Sequence, residues 1–371
     1  MNVKKIHWIG VGLSSPPGIL YLVKQGYNLE VWNRSTEKAS KLLKQKVIIN
    51  KLDLDKLKLA LNTNDLIISM LPADMHLELA EIAMNHKCHF LNSSYYDSKY
   101  ITLEKNFIEN KKVFICEAGL DPGIDHILAS KLVDDFKQNI KKDDLSSLSF
   151  TSMCGGFPLK PNKFKYKFSW TPLGVLKALR SPAKYIKNFD EIEVSFPFKK
   201  VESIEFQDEK FEIYPNRNSI PYIEEYQMSE YINNIENFVR GTIRLDGWSK
   251  AWGDIFSKIT NNEDLENLSK ELWKLNQYDK NEKDRVLLYV NLSANGLNDK
   301  MIYNKTLYID ESRNIIQSAM SQCVSLTLAL TVECLFNTKE ISGIKRIFQD
   351  KKNVSYILEN LKKLGVTVKE I

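Results

Sequence analysis

The chain has 371 residues, of which 43% are hydrophobic and 27% charged. That balance belongs to a globular protein able to bury a core, and the length suits two domains at about 100–200 residues each. The formal charge of +5 is the difference between 52 basic and 47 acidic residues mixed along the chain. With no basic block carrying interleaved aromatics, nucleic acid is not an expected partner, whereas a mild basic excess suits a substrate with several carboxylates. Cys88, Cys116, Cys154, Cys323 and Cys334 are scattered without a Cys-x-x-Cys, so reduced thiols and a cytoplasmic location are expected. His86 and His89 beside Cys88 make a poor zinc spacing, and no metal site is expected. The N-terminus, from Met1 to Lys5, runs straight into a strand pattern. No apolar run is read as approaching the roughly 18 residues that span a membrane, so no membrane association is expected.

The first strand, Lys5 to Ile9, is followed by Gly10-Val11-Gly12-Leu13-Ser14-Ser15-Pro16-Pro17-Gly18. Gly10 and Gly12 match the first two positions of a dinucleotide fingerprint, one for the turn and one for backbone approach to pyrophosphate. Ser15 occupies the third glycine position, so the match is incomplete. Pro16 and Pro17 suit the first turn of a helix whose N-terminus would face phosphate, with Gly26 just past its end. The second strand, Leu29 to Trp32, ends at Asn33-Arg34-Ser35 with no acid to hold a ribose 2′-hydroxyl. Arg34 is placed to meet a 2′-phosphate with Ser35 or Thr36, which favours NADP over NAD; alternatively Arg34 is solvated and Ser35 only caps the helix Thr36–Gln45.

Further units follow: a strand at 46–49, a helix through Leu61, a strand from Asp65 to Pro72, a helix from Asp74 and a strand at 88–91. The exit Leu71-Pro72 reads as the wall beside the nicotinamide half of a cofactor. The loop Asn92–Tyr96 and a helix at 98–109 lead to the strand Val113–Ile115 and to the stretch Cys116–His126. There Asp121 sits where an N-cap belongs and Pro122 at the first helical position. Asp121, Asp125 and His126 then cluster at the C-terminal end of a strand, where an α/β chain places a site. The same pattern also describes a capped helix with solvated acids. Regular alternation means a Rossmann-like, doubly wound parallel sheet, α/β in class.

After Phe136 the texture changes. Residues 145–156 read as a strand ending in a glycine loop at Gly155 and Gly156. From there to about Asp310 come shorter strands and aromatics, an inserted α+β domain on a mostly antiparallel sheet. A long apolar helix, Ile315 to Phe336, returns to the first domain, and a tail helix at 355–363 precedes an edge strand at 365–368. The expected domains are therefore residues 1–125, completed by 312–371, and residues 126–311.

Four segments in order resemble the saccharopine dehydrogenase (saccharopine reductase) family of the glutamate-forming kind. They are Gly119–His126; Cys154–Pro158 with Tyr166–Trp170 and Pro172–Gly174; Tyr214–Ser219; and Arg240–Arg244. Ser318-Ala319-Met320 is also similar, although the following Ser321 to Leu326 departs from the Thr-Gly pair that is more frequent in the family. The resemblance implies NAD(P)-dependent oxidative cleavage of saccharopine to L-glutamate and 2-aminoadipate 6-semialdehyde, or the reverse, in lysine metabolism. It implies Asp121 and Asp125 as acid/base groups, Cys154 as a substrate-contacting thiol and Tyr95 as proton relay or amine contact. Arg217 is the leading carboxylate clamp, with Arg240 and Arg244 behind it, and Gly155, Gly156 and residues 167–170 shape the pocket. The cofactor set is Gly10, Gly12, Leu13, Ser14, Ser15, Asn33, Arg34, Ser35, Leu71, Pro72 and Ser94.

Plainer readings stand beside these. Cys154 is a small buried residue, Tyr95 and Trp170 are core, the arginines are surface ion pairs, and Glu117 is either a buried strand end or part of the site. The alternatives for function are a sister oxidoreductase (lysine 6-dehydrogenase or carboxy-polyamine synthase) and a non-catalytic dinucleotide-binding protein. A small molecule is the expected partner, and the sequence leaves room for a homodimer.

Overall fold

The computed structural model describes residues 3–44, 46–338 and 341–371; Met1, Asn2 and the expected helix end Gln45 lie outside them. The chain divides into two compact units, Met1–Ile127 with Ser321–Val366, and Leu128–Met320 with Thr367–Ile371.

The first unit alternates strands and helices: β1 (Ile6–Ile9), α1 (Pro16–Lys24), β2 (Leu29–Asn33), α2 (Thr36–Leu43), β3 (Ile48–Lys51), α3 (Leu54–Ala60) and β4 (Leu66–Ser69). Then come α4 (His76–Asn85), β5 (His89–Asn92), α5 (Ile101–Glu109), β6 (Val113–Cys116) and α6 (Ile124–Asn139). In β1, β4, β5 and β6 every residue is buried, as expected for parallel strands covered on both faces. Alternate side chains serve opposite layers. Trp8, Val31 and Ile68 pack with Ile19 and Leu22 of α1, whereas Ile9, Trp32 and Ile67 pack with Leu57 of α3 and Leu79 of α4. Local capping sets the helix starts: Ser35 accepts from the Lys38 N–H at 3.2 Å, and Asp53 from Asp55 and Lys56 at 3.1 Å. Gly26, with φ of 81°, turns the chain after α1.

The second unit contains β7 (Leu145–Pro158), α7 (Pro172–Arg180), β8 (Ala183–Lys187), β9 (Asp190–Val194), β10 (Glu202–Phe206), β11 (Glu209–Pro215) and α8 (Pro221–Glu225). It continues with β12 (Ile235–Leu245), α9 (Trp248–Ala251), α10 (Gly253–Thr260), α11 (Leu265–Leu275), β13 (Lys283–Gly296) and β14 (Met301–Asn314). The chain ends with α12 (Ala319–Asn337), β15 (Gly343–Arg346), α13 (Lys351–Lys363) and β16 (Lys369–Glu370).

The first sheet is wholly parallel in the order β15-β6-β5-β4-β1-β2-β3. Strand order reverses between β1 and β4, and the crevice at their carboxyl ends is where such a sheet binds ligands. The second sheet runs β10-β11-β12-β7-β13-β14-β16, with β8 and β9 off this path. It is antiparallel except for β12 beside β7, so it is a mixed sheet.

Four expectations need correction. α6 begins at Ile124 rather than at Pro122, and the Asp121–Pro122 peptide is cis; the backbone makes a tight loop before the helix instead of a capped first turn. β7 does not end at a glycine loop but continues through Gly155 and Gly156 to Pro158. The tail strand is Lys369–Glu370, paired with β14 in the second sheet. Finally, the helix Ile315–Asn337 is long and apolar enough to cross a membrane by length and composition, with a mean hydropathy of 1.5. Of its most apolar window 78% is buried, and Leu328, Ala329, Val332 and Leu335 belong to the core cluster of the first unit. A helix apolar all round is a core helix when protein surrounds it.

Candidate active site

The first unit carries the dinucleotide features at the carboxyl ends of β1, β2 and β4. Gly10 has φ of 92°, and a Cβ there would lie 2.9 Å from Leu71 Cδ2, so only glycine lets the turn pass the β4 exit. At Gly12 a Cβ would meet nothing within 4 Å, which leaves open space beside the first turn of α1. Ser15, in the third glycine position, is buried and donates from Oγ to the Gly10 carbonyl at 3.1 Å, tying the turn shut. The tight packing that the fingerprint assigns to its third glycine falls instead on Gly18. A Cβ there would sit 2.2 Å from the Ser325 carbonyl of α12, and the Gly18 N–H donates to Ser325 Oγ at 2.9 Å.

Asn33, at the tip of β2, accepts from the Val11 N–H at 2.9 Å and donates to the Ser35 carbonyl at 2.8 Å. Arg34 is exposed and makes no hydrogen bond or ion pair among the described residues. Leu13 and Pro72 are exposed, and Ser14 is half-buried. Glycine turn, open cradle, helix start and an uncommitted arginine at the ribose position fit a dinucleotide with a 2′-phosphate. NADP would be held by Gly10 to Ser15, Asn33 to Ser35, and Leu71.

Beyond β5 and β6 the same sheet gathers ionisable groups. The Tyr95 hydroxyl donates to Asp121 Oδ1 at 2.5 Å, joining the two strand-end loops. Asp125, buried, accepts from the Gly123 N–H at 2.6 Å, and its Oδ2 lies 3.6 Å from His126 Nδ1. The two acids, of which the sequence slightly favours Asp121 for substrate contact from the loop side of the turn, thus have different hydrogen-bond partners. Glu117 is fully buried with φ of 61°. Its Oε1 accepts from the Tyr96 N–H at 3.0 Å, and its Oε2 lies 3.5 Å from both His126 Nε2 and Arg346 Nε. The Arg346 guanidinium lies over the Tyr96 ring at 4.5 Å. Glu117 therefore holds the loop that presents Tyr95.

Ser94 is engaged as well, its Oγ 2.9 Å from His76 Nε2, while His76 Nδ1 lies 2.9 Å from Ser69 Oγ. Burial lowers the His76 pKa to about 4, so a neutral imidazole bridges the ends of β4 and β5. Sequence reasoning missed His76, Gly18 and Asn33's grip on Val11. Only the position of Asn33, at the end of β2, hinted at its use.

In the second unit the register of β7, β11 and β12 places one row of side chains on one sheet face. Cys154 pairs with Thr242, Ser152 with Arg240, and Tyr214 with Thr242, so Cys154, Arg240, Arg244 and Tyr214 share that face. Gly155 allows close approach, for a Cβ would lie 2.1 Å from the Ile243 carbonyl; at Gly156 it would lie 2.5 Å from Met320 Cε. Arg240 is buried, its guanidinium 4.2 Å from the Tyr222 ring. Arg217 is exposed on the loop after β11 with φ of 59°. That loop is tied to Arg240, whose carbonyl accepts from the Asn216 N–H and whose N–H donates to Ser219 Oγ, both at 2.9 Å. Arg244, buried, donates to the Tyr214 hydroxyl at 3.0 Å. Trp170, expected in the core, is 40% exposed.

The His86, Cys88 and His89 group has separate uses. Cys88 Sγ donates to the Asn62 carbonyl, His86 Nδ1 meets the Ile82 carbonyl, and His89 Nδ1 accepts from Val113.

Residues 6–115 match the family model "Saccharopine dehydrogenase NADP binding domain", and residues 119–366 match "Saccharopine dehydrogenase C-terminal domain". Rat mitochondrial alpha-aminoadipic semialdehyde synthase is 34% identical over 265 residues, covering 67% of this chain and 27% of that protein. Saccharopine dehydrogenase [NADP(+), L-glutamate-forming] of Schizosaccharomyces pombe is 32% identical over 257 residues, covering 65% of this chain and 54% of that one. The chain thus aligns with between about a quarter and a half of the length of these relatives. In fold it is similar to apo saccharopine dehydrogenase (L-Glu forming) from Saccharomyces cerevisiae, with a TM-score of 0.79, 24% identity and 99% of each chain covered. Two consecutive family domains fill almost the whole sequence, in the order and with the strand topology described above: the chain belongs to the saccharopine dehydrogenase family.

Proposed function

We propose that this protein oxidises saccharopine with NADP and releases L-glutamate and 2-aminoadipate 6-semialdehyde, or runs the same reaction in reverse. The observation that carries the reading is the sheet face of the second unit, where Cys154 shares a row with the buried cations Arg240 and Arg244. A substrate with three carboxylates needs such cations, and arginine forks match carboxylates best.

The chemistry divides cleanly. NADP, when bound, takes up the hydride from the lysyl ε-carbon, and the substrate is left as an imine. Everything after that is proton transfer. Asp121 is the base that accepts a proton as water adds to the imine carbon, and Tyr95, hydrogen-bonded to it, relays a proton to the departing glutamate nitrogen as the adduct collapses. A positioned acid/base pair of this kind contributes about 10²–10⁴ in rate. Asp125, committed to the Gly123 N–H, shapes the loop that carries Asp121. Cys154, buried within β7, contacts substrate without being needed as a nucleophile, because the water is the nucleophile. Arg217 and Arg244 take the carboxylates and so fix the reacting carbon in place.

All five cysteines are buried and none is in a disulfide, which suits a reducing compartment; we take the protein as cytoplasmic, acting on a small molecule. The test is absorbance at 340 nm with purified protein, saccharopine, and NADP or NAD in separate cuvettes. NADP reduction with equimolar glutamate is the expected result; a folded protein that reduces neither nucleotide sinks the proposal.

A further inference from the structure

We infer that Arg244 is held without a protein counter-charge and is oriented by Tyr214, a positioning residue, ready for a carboxylate of the substrate. This rests on the reading of Arg244 as a substrate cation. Arg244 is buried, at 7% exposure, yet no carboxylate lies within ion-pair distance of it among the described residues. Its Nη2 donates to the Tyr214 hydroxyl at 3.0 Å, its Nη1 to the Ile243 carbonyl at 3.3 Å, and its Nε finds no protein acceptor. A buried guanidinium left this way is costly unless an anion arrives to complete it.

The neighbourhood explains why no protein carboxylate fills the place. Glu212 on β11 stands directly opposite Arg244 on β12, the position from which cross-strand charges normally pair. Its carboxylate is instead occupied by three donors: the Gly247 N–H at 3.2 Å, the Ser249 N–H at 2.6 Å and the Ser249 hydroxyl at 3.0 Å. Rings take the remaining sides of the cation, Tyr166 at 4.9 Å, Trp248 at 5.5 Å and Tyr214 at 5.6 Å. Tyr214 is itself stacked on Trp248, with centroids 5.1 Å apart and planes at 15°. The rings hold the cation without neutralising it, and among the described residues the Tyr214 hydroxyl is the side-chain acceptor that sets its rotation.

The experiment is a titration of the full-length protein with glutarate, a simple dicarboxylate, read by tryptophan fluorescence because Trp248 lies against Arg244. Saccharopine kinetics run in parallel. Tyr214→Phe, which removes one oxygen and keeps the stack, is expected to raise the glutarate Kd and the saccharopine KM about tenfold, a loss typical of one hydrogen bond to a charged group. Turnover at saturating substrate should stay within about twofold of the parent, the split expected of a binding interaction. Arg244→Met should abolish the glutarate response. If wild-type protein binds glutarate through Arg244 but does not oxidise saccharopine, the activity reading fails while a weakened Tyr214→Phe Kd still supports the role of Tyr214. Parental affinity in folded Tyr214→Phe, or an unchanged titration in Arg244→Met, overturns it. Should Tyr214→Phe fold poorly, Ser249→Ala serves instead: it returns a lone pair to Glu212, which should compete for Arg244 and weaken glutarate several-fold, and parental affinity there counts against the proposal.

Discussion

The hydroxyl of Tyr95 and the carboxylate of Asp121 meet at 2.5 Å, although 26 residues separate them in the chain, because consecutive parallel strands deliver their exit loops to the same end of the sheet. Asp121→Asn should lower kcat by about 10²–10⁴, since it removes the proton acceptor and keeps the shape. Tyr95→Phe should cost less, about tenfold, because Asp121 can still exchange protons with water. Steady-state kcat of the two variants at one pH separates them: Asp121→Asn should fall well below Tyr95→Phe.

Glu117 governs that contact from beneath. Glu117→Ala would remove a buried carboxylate from beside His126, which keeps Asp125 at 3.6 Å, and from beside Arg346, and would release the Tyr96 N–H. A loss of about 3–5 kcal/mol is expected, the range for breaking one partner out of a buried charge pair. Denaturant midpoints measure it. Glu117→Gln, which can still accept from Tyr96, should lose clearly less.

Two glycines that look alike in sequence should behave oppositely. Gly18→Ala must push a methyl into the Ser325 carbonyl, at a separation of 2.2 Å; a loss of about 1–3 kcal/mol or more follows from overpacking. Gly12→Ala has open space around it, so its thermal midpoint should match the parent while its affinity for NADP falls as the methyl occupies the approach of the pyrophosphate.

Among the described residues Arg34 has no structural partner to lose. Arg34→Ala should therefore leave stability unchanged and weaken NADP about tenfold or more, with NAD affinity unaffected. Equal loss for both nucleotides would remove Arg34 from the 2′-phosphate.

Stability should fall on acidification below neutrality. Burial lowers the pKa of His76 and of His89 to about 4, so the unfolded chain takes up these protons first, near pH 6.5, and the folded state gives way as pH falls toward 4. Each shift is worth on the order of 3 kcal/mol across that window. Asp284, which accepts from the Ala319 and Met320 N–H groups at 2.7 and 2.9 Å, opposes them. Its pKa is raised by burial to about 6, so its protonation favours the folded state as pH falls from 6 toward 4. Two histidines against one aspartate leave a net loss, to be read from unfolding midpoints between pH 7 and 4. His89→Gln should flatten the slope.

Much of this protein is written locally. The two-residue period that sends Trp8 to one helix layer and Ile9 to the other, the caps at Ser35 and Asp53 and the glycine turn at Gly10 depend on neighbours a few residues away. They follow from the sequence because backbone geometry and side-chain alternation are short-range. The family motifs likewise marked Asp121, Cys154, Arg217 and Arg244 as a set. Tertiary structure decided what each group is free to do. Asp121 and Asp125 are equivalent as letters, but a hydroxyl from another loop claims one and the backbone of its own turn claims the other. Gly18 is indispensable only because α12, some 300 positions later, presses the Ser325 carbonyl against it. Among the described residues no carboxylate pairs with Arg244, and the one facing it across the strands, Glu212, is occupied by three donors from the Gly247–Ser249 turn. Competition for hydrogen-bond partners is settled by which atoms lie within about 3 Å, a distance that sequence spacing does not encode.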